Sequence, residues 1–290
     1  MQFDWSSLGS IPPTALVTAR NLAHHAVQWA TRAARANLDA APDDSHSSLA
    51  WDVVHGALLS QPLPADVGEV RFGLRLASAE LIVLRRGMVL DAFSLDGRRK
   101  SMVDVWFDSA LRALGLKPAA DIALPYTTPH VLVAKGGTYM GSENAAALEE
   151  LARWYAAAAD LLADFIEGLA VLHPGLVPGP GPVRCWPHHF DIATLVRLEA
   201  GTSKAARSIG VGISPGDESC PQPYLYVSPW PHLKAAGLPE LPPPGHWHTQ
   251  GYVAAVAPAE KILALADHGP ELLAFVKGAF DVGRARLYQT

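Results

Sequence analysis

Residues 70–93 read VRFGLRLASAELIVLRRGMVLDAF. Three runs within this stretch, 70–76, 80–84 and 88–93, are rich in aliphatic and aromatic side chains. Only Ala77-Ser78-Ala79 and Arg85-Arg86-Gly87 separate them. Strands joined by turns this short must pair antiparallel, since a parallel crossover needs a dozen or more residues. A regular strand–helix alternation is missing from the rest of the chain too, which argues against a doubly wound sheet. The expected class is α+β, with antiparallel sheets flanked by helices.

Working outward, the spacing predicts a first helix over 14–38, with Leu16, Leu22, Val27 and Ala30 on an apolar side. Asn21, His24, His25, Gln28, Arg32 and Arg35 fall on its polar side, where a solvated face is the default reading. Ser47 or Ser48 is placed to cap a second helix carrying Leu49, Trp51, Val53, Val54 and Leu58, ending before Pro62. Downstream of the strands a helix is expected over 101–114, with Val105, Leu111 and Leu114 inward and Gly115 as its stop.

The most regular pattern covers 144–172. Leu148, Leu151, Tyr155, Ala159, Leu162, Ile166 and Leu169 recur at three and four, opposite Glu149, Arg153, Asp160, Asp164 and Glu167. His173-Pro174-Gly175 ends this helix, and Pro178-Gly179-Pro180-Gly181-Pro182 reads as a boundary loop. Strands are expected again over 183–191, 206–213, 224–228 and 250–256, before Pro258 opens a helical tail broken near Gly269-Pro270. The halves 1–173 and 174–290 each read helix, antiparallel strands, helix, and the expectation is one compact unit in which they meet near 174–182.

Composition bounds the function classes. The 290 residues are 49 % hydrophobic and 18 % charged, which is enough to build a core without disulfides or structural metals. A net charge of −5 argues against a nucleic-acid scaffold, and no apolar run approaches the roughly 20 residues of a membrane span. The two cysteines, Cys185 and Cys220, read as reduced thiols, and M-Q-F-D-W-S-S has no signal-peptide pattern. The expectation is a cytoplasmic protein whose partner is a small molecule, not nucleic acid or membrane.

Chemistry concentrates in two segments, C-W-P-H-H-F-D (185–191) and G-H-W-H-T (245–249). In a strand, residues two apart share a face, so His189 would join Asp191, and His246 would join His248. Were the segments to meet, these four side chains would form a three-histidine, one-carboxylate site suited to zinc, iron or manganese. An open coordination position would then supply a nucleophilic water. A metal-free pocket for a small ligand is the competing reading, with His188, Tyr226, Trp230 and Trp247 as contacts. A hydrogen-bonded core around Trp186, Trp230 and Trp247 is the third.

Gly212-Ile213-Ser214-Pro215-Gly216 matches G-x-S-x-G, but the prolines at 215, 221 and 223 leave no room for the helix that a nucleophile elbow needs. A tight turn presenting Asp217 is the expectation, with Asp217 as a candidate general base beside Asp191. In Y-L-Y-V-S-P-W (224–230), Tyr224 and Tyr226 share a strand face.

The motifs C-W-P-H-H-F-D-I-A-T, S-I-G-V-G-I-S-P-G-D, P-Y-L-Y-V-S-P-W-P and G-H-W-H-T resemble those of a family of uncharacterised bacterial proteins, a domain of unknown function. The resemblance extends to D-D-S-H-S-S-L-A-W (43–51) and L-P-Y-T-T-P-H (124–130), and so to most of the chain. A broader group that the chain resembles more distantly keeps the Phe-Asp pair, here Phe190-Asp191, and does not require the double histidine. That singles out Asp191, and it implies no activity. Two functions remain expected: a metal-dependent hydrolase or oxygenase-like enzyme, or a non-catalytic small-molecule binder with an aromatic and imidazole pocket.

Overall fold

The computed structural model of the chain describes residues 3–129, 131–200 and 206–289. Met1 and Gln2 of the leader reading, and His130 of the 124–130 motif, lie outside the described residues. The elements in chain order are α1 (Val17–Ala26), α2 (Gln28–Asn37), β1 (Ala50–Asp52), β2 (Ala57–Leu59), β3 (Leu63–Ala65), β4 (Gly68–Arg75), β5 (Glu80–Arg85), β6 (Met88–Ser94) and α3 (Lys100–Ala113). They continue with α4 (Ala145–Leu172), β7 (Gly179–Pro180), β8 (Arg184–Trp186), β9 (Asp191–Arg197), β10 (Ser208–Ser214), β11 (Tyr224–Trp230), β12 (His246–His248), β13 (Ala254–Pro258), α5 (Ala259–Ile262) and α6 (His268–Gln289). The class is α+β with two antiparallel sheets. Among the described residues no helix is long and apolar enough to cross a membrane.

Two compact units share the chain, and they do not divide it at 174–182. One holds Ala15–Arg153 together with Arg184–Phe190; the other holds the chain up to Thr14, Trp154–Val183 and everything from Asp191 onward. The exchange point after Phe190 matters for the chemistry: His188 and His189 belong to the first unit and Asp191 to the second.

In the first unit the strand order is β1-β2-β4-β5-β6, with β3 against β4. The predicted meander is present as β4, β5 and β6. The helix expected around Trp51 is instead the β1–β2 hairpin. Its turn exposes Val53 and Val54 (79 % and 82 %), needs a positive φ at Gly56, and is closed by the Asp52 carboxylate accepting the His55 N–H at 2.8 Å. Pairing of Ala50 with Leu59 satisfies this backbone across the sheet, and that overrides a helical spacing of apolar residues. On α3 the inward residues are Val103, Phe107 and Leu111; Leu111 is inward as expected, while Val105 is 70 % exposed, about half a turn round from Val103. Gly115 does stop the helix with φ +72.

In the second unit the order is β12-β13-β11-β10-β9-β7. Val211, Ile213, Leu225 and Val227 form its buried side. Helix α6 lies on that side: a Cβ at its Gly283 would come within 2.9 Å of Pro229 and 3.4 Å of Ile209. The strand expected over 250–256 is shifted to β13, and β12 is a separate strand paired with it. Pro258 caps α5, and the break in the helical tail falls between α5 and α6, with Gly269-Pro270 inside the first turn of α6, where proline is tolerated.

Gly245, immediately before β12, has no room for a side chain. A Cβ there would sit 2.0 Å from the ring of the buried Phe275 on α6. Gly245→Ala is expected to lower stability by about 1–3 kcal/mol through overpacking. Urea unfolding of the variant checks this, and an unchanged midpoint would show that Phe275 yields freely.

Candidate functional site

The buried face of the second sheet uses the odd-numbered residues of β10 and β11, so the even-numbered ones stand on the opposite face. Register sets them in rungs. Ala193, Gly212, Tyr226, Val256 and His246 make one row across five strands, and Ser214, Tyr224 and Pro258 make the next. Gly210 and Ser228 make a third, where Ala254 pairs His248. Asp191, two residues before Ala193, begins β9 on this same face. Alternation in five short strands thereby gathers Asp191, Tyr224, Tyr226, His246 and His248 on one side.

The glycine in this row is required. A Cβ at Gly212 would lie 2.8 Å from the Tyr226 hydroxyl and 2.6 Å from the Ala193 Cβ, so the phenol lies across its backbone. That brings the Tyr226 hydroxyl onto Asp191 Oδ2, to which it donates. Burial, and next the adjacent Asp191 carboxylate, push the Tyr226 phenol well above its ordinary range, which keeps it a proton donor at neutral pH.

Asp217 is organised in the same way. Its Oδ1 accepts the N–H groups of Ser219 (2.7 Å) and Cys220 (2.9 Å), and its Oδ2 accepts the Tyr224 hydroxyl at 2.6 Å. The Tyr224 phenol is held protonated by burial and then by that bond. Ser214 Oγ accepts the Gly216 N–H at 3.1 Å, and no helix follows before β11. The G-x-S-x-G match is therefore a turn and not a nucleophile elbow.

Between Asp217 and β12 lies a cleft of about 350 Å³ lined by Asp217, Cys220, Tyr224, His246, His248 and Tyr252. Tyr252 reaches it because Gly251, with φ +81, folds the β12–β13 turn back, and the Tyr252 ring lies 4.7 Å from that of His248. The ring nitrogen His248 Nε2 donates to the Gln250 carbonyl at 2.8 Å, which leaves Nδ1 as the acceptor in the neutral ring. Sequence reasoning missed Tyr252 and Cys220; the signal for the first was the glycine between it and the G-H-W-H-T motif.

The remaining candidates are placed elsewhere. Trp247 points to the other face of β12 and donates through Nε1 to the Pro239 carbonyl at 2.8 Å. Trp230 is exposed at the end of β11, edge-on to His232. His188 and His189 lie in the first unit, in a turn that breaks the strand expected over 183–191. The N–H groups of His189 and Phe190 both reach the Trp186 carbonyl, and Phe190 takes φ +57. His189 and Asp191 therefore do not share a strand face. Among the described residues no group of three or more His, Cys, Asp and Glu side chains is arranged to hold a metal.

The first unit contains an imidazole cluster of its own. The side chains of His24 and His25 are buried on α1, not solvated. His24 Nε2 donates to the Pro187 carbonyl at 2.9 Å, which also accepts from Gln28, and its ring stacks on Phe190 at 5.0 Å. His25 Nδ1 meets the Tyr139 hydroxyl at 2.7 Å, and Tyr126 donates to Gln28 Oε1 at 2.9 Å. Burial, the largest cause in each case, takes His24, His25 and His188 down to about 4. Nearby cations add to it: Arg20 at His24, Arg32 and Lys100 at His25, Arg35 at His188. These three rings are neutral at pH 7, and two of them, His24 and His25, serve as hydrogen-bonding groups.

No family model matches the chain, and no curated protein or solved structure matches it either.

The imidazole cluster sets a pH dependence. Folded-state values near 4, against about 6.5 in an unfolded chain, mean that the unfolded state binds more protons between those limits. Stability is thus fully present above about pH 6.5, falls as pH drops, and levels off below about 4. For the well-buried His24 and His25 the loss is on the order of 3 kcal/mol each at the limit, and the part-exposed His188 adds less. Urea titrations at pH 7 and pH 5 check the sign, and His24→Phe should flatten the slope. Equal midpoints at the two pH values would show that these rings are not held neutral.

Proposed function

We propose that the second unit binds a small organic molecule, neutral or cationic, that carries hydrogen-bond donors on a planar ring. The observation that carries this reading is the convergence of His246, His248, Tyr224 and Tyr252 around Asp217 in one open cleft. Its volume falls at the lower end of the range for ligand pockets. Rings supply stacking area at small conformational cost, and Asp217 and Glu260 give the lining an acidic character with no arginine or lysine in it.

Binding is better supported than catalysis because the carboxylates are already committed. Both oxygens of Asp217 accept hydrogen bonds from its own turn and from Tyr224, and Asp191 accepts from Tyr226. A group held so is a fixed acceptor rather than a proton shuttle. A metal-dependent reaction would need His189 to join Asp191, His246 and His248, and among the described residues no three His, Cys, Asp or Glu side chains are grouped to hold a metal.

Benzamidine, a planar cation, and benzoate, its anionic counterpart, test the reading by saturation-transfer NMR and titration. Benzamidine is expected to bind saturably, with Tyr252→Ala and His248→Ala each weakening it about tenfold, roughly 1.4 kcal/mol. Benzoate binding equally well, or benzamidine failing to bind the folded protein, overturns the proposal. A zinc-dependent thermal shift lost in His246→Ala and His248→Ala would replace it with a metal centre.

A further inference from the structure

A larger cleft, of about 610 Å³, lies in the first unit on the β1, β2, β4 and β5 sheet, remote in character from the acidic one. Its floor is apolar, made by Leu59 and Leu84, each 4 % exposed, and Trp51 contributes a half-buried aromatic wall. Around this floor stand three guanidiniums, those of Arg71, Arg85 and Arg86.

None of the three makes an ion pair with a carboxylate among the described residues. Arg71 donates once, to the Ser60 carbonyl at 3.2 Å. Arg85 Nε is shut off from solvent and has no hydrogen-bond partner among the described residues. That one buried donor is costly, while the outer nitrogens of Arg85 are not among the closed-off atoms and remain open to an anion in the cleft. The β5–β6 hairpin presents the pair: Arg86 (φ +51) and Gly87 (φ +77) form a two-residue turn that sets Arg85 and Arg86 at its shoulder.

Two carboxylates also line the cleft. Asp52 is engaged by the N–H and ring of His55, both at 2.8 Å, while Glu69 stands exposed on β4 two residues from Arg71. Three guanidiniums against two carboxylates leave a single net positive charge. That balance suits a monoanion and disfavours a polyphosphate.

We propose that this cleft is a second binding site, for an organic monoanion with an apolar body, such as a medium-chain carboxylate. The carboxylate meets Arg85 and Arg86, and the chain lies on Leu59 and Leu84 against Trp51. It is independent of the cleft in the second unit.

Isothermal titration with sodium decanoate, decanol and inorganic phosphate tests it on the full chain. Decanoate is expected to bind saturably and to weaken with added salt, with decanol and phosphate far weaker. The double variant Arg85→Gln, Arg86→Gln should weaken decanoate at least about tenfold. Glu69→Gln should tighten it several-fold, a gain that a misfolded protein does not produce. No saturation by decanoate, an unchanged affinity in the arginine variant, or a weaker one in Glu69→Gln overturns the proposal. Phosphate displacing decanoate at equal concentration would also overturn it, in favour of a phosphate site.

Discussion

The pairing of Gly212 with Tyr226 decides which side of the second sheet carries chemistry. Because side chains alternate with period two, that single register commits Val211, Ile213, Leu225 and Val227 to the α6 side and Tyr224, Tyr226, His246 and His248 to the other. A slip of one residue would bury the tyrosines and expose the aliphatics, so the apolar core of the unit holds the polar face in place. The glycine does a second job at the same point. It lets the phenol lie flat over the backbone and reach Asp191, which no side-chain-bearing residue would permit.

Much of this was legible, for reasons that can be stated. The meander at 70–93 and the helix over α4 declare themselves because apolar spacing there agrees with turn chemistry and length together. The tyrosine face of β11 is visible for the same reason, since Y-L-Y-V alternates without interruption. Failures came where a local pattern admitted two structures. Trp51, Val53 and Val54 fit a helix by spacing, and only the Asp52 turn and the partner strand exclude it. H-H-F-D fits a strand, and only Phe190 adopting φ +57 reveals the turn. A left-handed conformation at a bulky residue is uncommon and carries no sequence signal comparable to glycine. The full burial of the Phe190 ring and its stacking on His24 hold it there.

The histidines show how composition misleads without topology. Histidines that look alike in the sequence take different roles within each unit. His246 and His248 line an open cleft with rings and carboxylates. His24, His25 and His188 lie largely out of solvent, and for them neutrality is the condition of being buried at all. An imidazole differs from other buried polar groups because its charge is cheap to acquire in mild acid. The unit that contains these rings therefore carries a built-in cost of acidification that the second unit's phenols, held protonated by burial, do not share.

The two clefts differ in the sign of their charge, and each sign follows from how the carboxylates are used. In the second unit the turn at Asp217 consumes its carboxylate with backbone N–H groups and a phenol, so the acidic character is fixed and oriented. In the first unit the hairpin at Arg86-Gly87 brings arginines forward while Asp52 is drawn off into its own turn with His55. The charge of each cleft is thus set by turns, which place the polar groups, while strands supply the apolar floor and the aromatic walls. A short turn holds a carboxylate or a guanidinium by local backbone geometry, at positions the core does not constrain. Changing the charge preference of either cleft should therefore need only the residues at its turn, with the sheets left as they are.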